Sequence, residues 1–220
     1  MISKSSLQYL DELRKNNHKN WFEENRGKYE TARTDFSAFV EAIIRKTAKF
    51  DEPIGHLTTK DCIFRINRDV RFSKDKTPYK VNMAAAFSAG GKKAPVAGYY
   101  FHLEPGKSFA GGGFYTPAPD QLSKIRQEID YNFSDWEKII HQKTFQRHFS
   151  SGIEGNGSLV RPPKGYEESN PAINFLKMKG FIVTQYFSDD QLLQTKAAQD
   201  VADSFKAMKP LIEFLNQAIE

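Results

Sequence analysis

One cysteine, Cys62, stands among 220 residues, so no internal disulfide forms and a reducing compartment suits the chain. Inside its apolar run Cys62 reads as a small buried hydrophobe. No stretch of about 18 uncharged apolar residues occurs. No basic region leads into an apolar segment between Met1 and Leu13, so neither a membrane helix nor a signal peptide is read. The expectation is a soluble, cytoplasmic protein that engages no membrane. Phosphate-binding glycine loops are missing too. Ser73–Pro78 lacks the glycines and the Gly-Lys-Ser/Thr ending of a Walker loop, and Gly111–Gly113 fits neither the spacing nor the helix start of a dinucleotide motif. The five histidines, His18, His56, His102, His141 and His148, show no short metal-ligand spacing. Hence no metal and no cofactor is expected, and no catalytic residue is assigned.

What is present is an ordinary globular composition, 39% hydrophobic and 27% charged, with a core rich in its 18 Phe and 9 Tyr. A chain of this length buries roughly 70% of its unfolded surface, and we read residues 1–220 as one domain. The net charge of +5 is a mild excess that leans toward polyanions without deciding for them.

Leu7, Leu10 and Leu13 recur at helical spacing after Ser5 and stop at Asn16-Asn17. A long helix is read from Trp21 to Lys49, with Asn20 and Glu23 as its cap pair and Phe22, Tyr29, Ala32, Phe36, Phe39, Val40, Ile43 and Thr47 on one face. Cys62, Phe64 and Ile66 then alternate as in a strand. Tyr99–Leu103 and Ser108–Tyr115 form a hairpin across Glu104-Pro105-Gly106-Lys107, where Pro then Gly suits a type II turn. The run Gly111 to Gly113 in its return strand marks a bulge or a close backbone approach. Leu122, Ile125 and Ile129 give another helix, and Ser134 with Glu137 caps the next. Ser150–Ser158 is a loop, Phe181–Phe187 a strand, and Ser188 with Gln191 caps a helical tail that continues through Pro210. Successive strands without intervening helices exclude a doubly wound sheet. The class is therefore α+β, a mainly antiparallel sheet packed by a long N-terminal helix and by C-terminal helices.

The chemistry concentrates between Arg65 and Lys80, R-I-N-R-D-V-R-F-S-K-D-K-T-P-Y-K, which carries six cations against two carboxylates. Guanidinium forks suit phosphate or carboxylate, and Phe72 and Tyr79 offer stacking faces or dry walls beside them. Read as a strand, the segment puts Phe64, Ile66, Val70 and Phe72 on one side and Arg65, Asn67, Asp69 and Arg71 on the other. Arg68 breaks the pattern, so it needs a carboxylate or anion partner, or a bulge that re-aims it toward Arg65 and Arg71. The alternative is a solvated edge strand of Arg–Asp pairs.

N-N-H-K-N-W-F from Asn16, R-D-V-R-F-S-K-D-K-T-P-Y-K from Arg68, Y-Y-F-H-L-E-P-G from Tyr99 and P-K-G-Y from Pro163 together resemble a widespread microbial family of conserved hypothetical proteins, a domain of unknown function. The likeness covers nearly the whole chain and implies one family domain with no established activity. Where that pattern often has His-Pro, this chain has Asn170-Pro171. Candidate ligand-binding residues are Arg65, Arg68, Arg71, Lys76, Lys80 and Lys164, with Asp69, His102 and Glu104 as candidate proton carriers. Three functions fit: a binder or enzyme for a small phosphorylated or carboxylated compound, which we favour; a nucleic-acid binder, which the aspartates inside the basic block disfavour; and a non-catalytic interaction module. The sequence does not fix the oligomeric state.

Overall fold

The structure is a computed structural model that describes residues 1–220. Five helices come first, α1 (Lys4–Lys15), α2 (Lys19–Glu24), α3 (Arg26–Thr47), α4 (Glu52–Gly55) and α5 (Thr59–Cys62), followed by strands β1 (Met83–Phe87), β2 (Gly98–Leu103) and β3 (Ser108–Phe114). Helices α6 (Pro119–Tyr131), α7 (Phe133–Ile140), α8 (Lys143–His148) and α9 (Ile173–Leu176) precede β4 (Phe181–Phe187), and α10 (Asp189–Leu192) and α11 (Ala197–Ile219) close the chain. The strands form one antiparallel sheet in the order β1-β2-β3-β4, and the class is α+β. The chain groups into two compact units. One comprises Met1–Lys93, Tyr100–Ala110 and Tyr186–Asp203, the other Ala94–Tyr99, Gly111–Gln185 and Ser204–Glu220. No helix is long and apolar enough to cross a membrane.

In the first unit α3 lies against the sheet through Phe36 and Phe39, whose rings stand 6.3 and 5.2 Å from Phe101 of β2. All three are buried, and each Phe contributes about 1.5–3 kcal/mol of transfer free energy. The single long helix expected from Trp21 is in fact two. His18 rather than Asn20 caps α2, its Nδ1 accepting from the Trp21 N–H, and α2 ends at Asn25. There the Asn25 side-chain amide and backbone N–H both donate to the Trp21 carbonyl, a local bond that competes with helix continuation. The expected strand at Cys62–Ile66 is also corrected. The Thr58 hydroxyl and backbone N–H both donate to Asp61, a capping box that winds residues 59–62 into a helical turn. Only Ile63 makes a bridge to β1, opposite Ala85, and this covers the outer edge of that strand. Cys62 is fully buried, and burial pushes its thiol up to about 12.

The turn of the β2–β3 hairpin has Gly106 at φ 72° and a Lys107 N–H bonded to the Glu104 carbonyl at 2.8 Å, as a type II turn requires. In the second unit Trp136 is enclosed by Phe175, Phe181 and Phe214, at ring distances of 5.3, 5.8 and 5.3 Å. Gly113, at φ 127°, lets β3 approach β4 so closely that any Cβ would overlap the Phe181 carbonyl oxygen. Glu154 exchanges both backbone bonds with Ile182, closing the free edge of β4. Asn132, not Ser134, occupies the N-cap position of α7. Ser188 and Gln191 form the expected capping box, but it serves the short α10, after which α11 starts afresh and runs through Pro210.

Candidate functional site

After α5 the chain runs extended and folds back on itself. Asn67 bridges Tyr79, the Arg68 N–H donates to the Pro78 carbonyl and the Lys80 N–H to the Ile66 carbonyl, at 2.9 and 2.8 Å. Residues 66–68 and 78–80 thus form the neck of a loop. Asp75 braces the loop by accepting from the Thr77 N–H at 2.9 Å, from the Thr77 hydroxyl and from the Arg68 guanidinium. The Thr77 backbone bond, then Arg68 and the Thr77 hydroxyl, lower the Asp75 carboxyl to about 2. Asn17 holds the other side of the neck. Its Nδ2 donates to the Tyr79 carbonyl at 2.9 Å and its Oδ1 accepts from the Tyr79 N–H at 3.1 Å, while the Tyr79 ring stacks on Phe22 at 4.0 Å.

Two cavities flank this neck in the first unit. One, of about 400 Å³, is lined by Tyr29, Arg33 and Phe36 of α3, by Thr59 and Lys60 of α5, and by Phe64, Arg65, Asn67 and Asn82 among others; no carboxylate lines it. The second, of about 320 Å³, is lined by Arg14, Asn17, Arg68, Asp75, Thr77, Lys80 and again Asn82. Arg33, Lys60, Arg65 and Lys80 make no ion pair. Lys80 is half-buried with its ammonium 5.6 Å from the Phe64 ring centre, and desolvation, then the charge of Arg65, lowers its affinity for a proton.

The cations of the basic block therefore separate. Arg65 faces the larger cavity, and Arg68 and Lys80 line the smaller one. Arg71 is exposed and forks onto Asp69 at 3.0 and 2.7 Å, which lowers the Asp69 carboxyl. Lys76 donates to the Val70 carbonyl at 3.0 Å. Phe72 is 97% exposed and walls neither cavity. Lys164 belongs to the second unit and is in neither lining. His102 and Glu104 do meet, Nε2 to Oε2 at 3.1 Å, and Arg14 reaches the other Glu104 oxygen at 3.3 Å. Sequence reasoning missed Arg14, Arg33 and Lys60, because helical cations elsewhere in the chain carry no mark of where they converge. It also missed Tyr100, whose place two residues before His102 was a usable signal on an alternating strand.

A family model described as conserved hypothetical protein (DUF2461) matches residues 5–214. The chain belongs to the DUF2461 family. No curated protein and no solved structure matches it. Both cavities lie inside the DUF2461 span. The smaller one gathers Asn17 from the first resemblance-bearing block and Arg68, Asp75, Thr77 and Lys80 from the second, and through Arg14 it touches Glu104 of the third.

Proposed function

We propose that the protein binds a small phosphorylated or carboxylated compound in the two cavities around Asn82, with Arg65 and Lys80 as its principal cations. The observation that carries this reading is the Arg65–Lys80 pair: two like charges that act on one another, one of them half-buried, and neither ion-paired. Such a pair is costly in the free protein, and a bound anion offsets that repulsion by attracting both cations. Asp69, whose charge reaches Arg65, is already held by Arg71. Tyr29, Phe36 and Phe64 supply an apolar wall, and Asn67 and Asn82 supply amides that orient a polar group. A nucleic-acid backbone is the weaker fit, because Arg68 and Arg71 are neutralised by Asp75 and Asp69 and the open cations line concave surfaces.

The test is a thermal-shift screen with inorganic phosphate, sugar phosphates, nucleotides and organic acids. A ligand at about 100 times its dissociation constant stabilises by about 2.7 kcal/mol. For a chain of this size that is a rise of roughly 5–10 °C in Tm. Arg65→Ala and Lys80→Ala are each expected to lose most of the rise, while Lys74→Ala, on the exposed loop, keeps it. A flat screen, or an undiminished rise in the Arg65→Ala/Lys80→Ala double variant, overturns the proposal.

A further inference from the structure

The outward face of β2 carries an arrangement that anion binding does not use. Tyr100, His102 and Glu104 alternate with the buried Phe101 and Leu103, so the strand period places all three on one face. The Tyr100 hydroxyl stands 3.2 Å from His102 Nδ1, and His102 Nε2 stands 3.1 Å from Glu104 Oε2. The His102 ring lies flat on Phe109, at 4.9 Å and 12°, which fixes its orientation. The side chains of His102 and Glu104 are both only 14% exposed. Around them stand Arg14 of α1 on Glu104 Oε1, Lys107 of the hairpin turn at 3.8 Å from the same oxygen, Phe64 against Tyr100, and Tyr186 of β4 beyond Phe109. Both nitrogens of the imidazole are engaged.

We infer that Tyr100, His102 and Glu104 form an acid–base relay whose outward group is the Tyr100 hydroxyl and whose substrate is a compound with an ionisable O–H. The Glu104 carboxylate accepts from Nε2–H, so Nδ1 carries the lone pair and the phenol donates to it. In the forward step the substrate's O–H breaks and its proton joins the Tyr100 oxygen. At the same time the phenol's own proton moves to Nδ1. The result is a substrate oxyanion, an intact phenol and an imidazolium stabilised by Glu104; the reverse step protonates a substrate oxygen. No proton is lost, and no co-reactant is needed. Burial holds the phenol up to about 12, so Tyr100 stays protonated between transfers. At the phenol end, Phe64 lines the larger cavity and its ring stands 6.4 Å from that of Tyr100; at the other end, Arg14 lines the smaller cavity and bonds Glu104. Only the identity of the substrate rests on the anion-binding proposal.

The relay is tested on the full chain, without ligand, by recording the His102 imidazole nitrogens and their protons by NMR at alkaline pH, where an imidazole is neutral. The expected neutral form is the Nε2–H tautomer. Tyr100→Phe removes the hydroxyl that bonds the Nδ1 lone pair, so the Nδ1 resonance moves downfield, toward that of an unbonded imidazole nitrogen. Glu104→Gln replaces a charged acceptor by a neutral one, so the Nε2–H proton resonance moves upfield as that bond weakens. Both replacements keep the side-chain shape, and unchanged amide spectra elsewhere verify folding. An Nδ1–H tautomer, or an Nδ1 resonance that Tyr100→Phe leaves in place, overturns the relay. Since no anion is added, that failure is distinct from a flat thermal-shift screen.

Discussion

Asn17→Ala removes the one side chain that clasps both backbone groups of Tyr79, and the structure sets what this costs. Two bonds are lost, at 2.9 and 3.1 Å, each contributing about 0.5–1.5 kcal/mol net. Tyr79 is only 6% exposed and its ring is clamped on Phe22, so water replaces the lost partners poorly. Part of the desolvation penalty of an unpaired amide, about 1–3 kcal/mol, is then added. The expected loss is about 2–3 kcal/mol, or roughly 4–12 °C in Tm for a protein of this size. Urea titration followed by circular dichroism measures it. Asn17→Asp keeps an acceptor for the Tyr79 N–H but sets a carboxylate against the Tyr79 carbonyl, so it should fare no better than alanine. The neck also aims Lys80, so phosphate stabilisation should fall along with stability. A variant within about 0.5 kcal/mol of the parent would refute the clasp. A destabilised variant with an undiminished phosphate response would show that Asn17 supports the fold but not the site.

Two other outcomes follow from single residues. Gly113→Ala combines a positive φ with an overlap between its new Cβ and the backbone of β4, so a loss above about 3 kcal/mol, or failure to yield folded protein, is expected in a solubility and urea assay; normal stability would mean that the β3–β4 approach is looser than described. The Asp75 carboxyl titrates at about 2 when folded against an ordinary 3.8, so its contribution is complete above 3.8 and is lost as pH falls through about 2. The acid limb of the stability curve in that window should flatten in Asp75→Asn, and an unchanged limb would show that the carboxylate does not brace the loop.

Much of the fold was legible because its signals are local. Alternation and the Pro105-Gly106 turn specify the hairpin, and the Phe36, Phe39, Val40 and Ile43 spacing specifies the buried face of α3. The glycine run of β3 reads as a bulge or a close approach; at Gly113 the structure shows the close approach, and the neighbour it must clear, β4, lies far along the chain. Misreadings arose where a short-range hydrogen bond outweighed a longer pattern. Asn25 interrupts a helix whose apolar spacing continues past it, and Thr58 with Asp61 turns the first residue of an alternating triplet into a helix end. The site was less legible than the fold, because Arg33 and Lys60 join Arg65 only through tertiary packing.

The basic block also shows why composition alone misjudges a site. Its two aspartates decide which cations stay open. Asp69 forks with Arg71 two residues on, and Asp75 reaches back to Arg68 across the loop. These pairs cancel two of the block's six positive charges, and with the Lys76 bond to Val70 they hold the loop in shape. Arg65 and Lys80, the first and last cations of the block, lie at the neck beyond either carboxylate's ion pair, beside cavities walled by α3 and α1 side chains. Under the proposed function the sixteen-residue segment is a clamp in which Asp69 and Asp75 hold Arg71 and Arg68 while Arg65 and Lys80, at its ends, meet the anion. On that proposal a compact anion, which needs only the two end cations, is favoured over an extended polyanion, which needs a longer run of open ones.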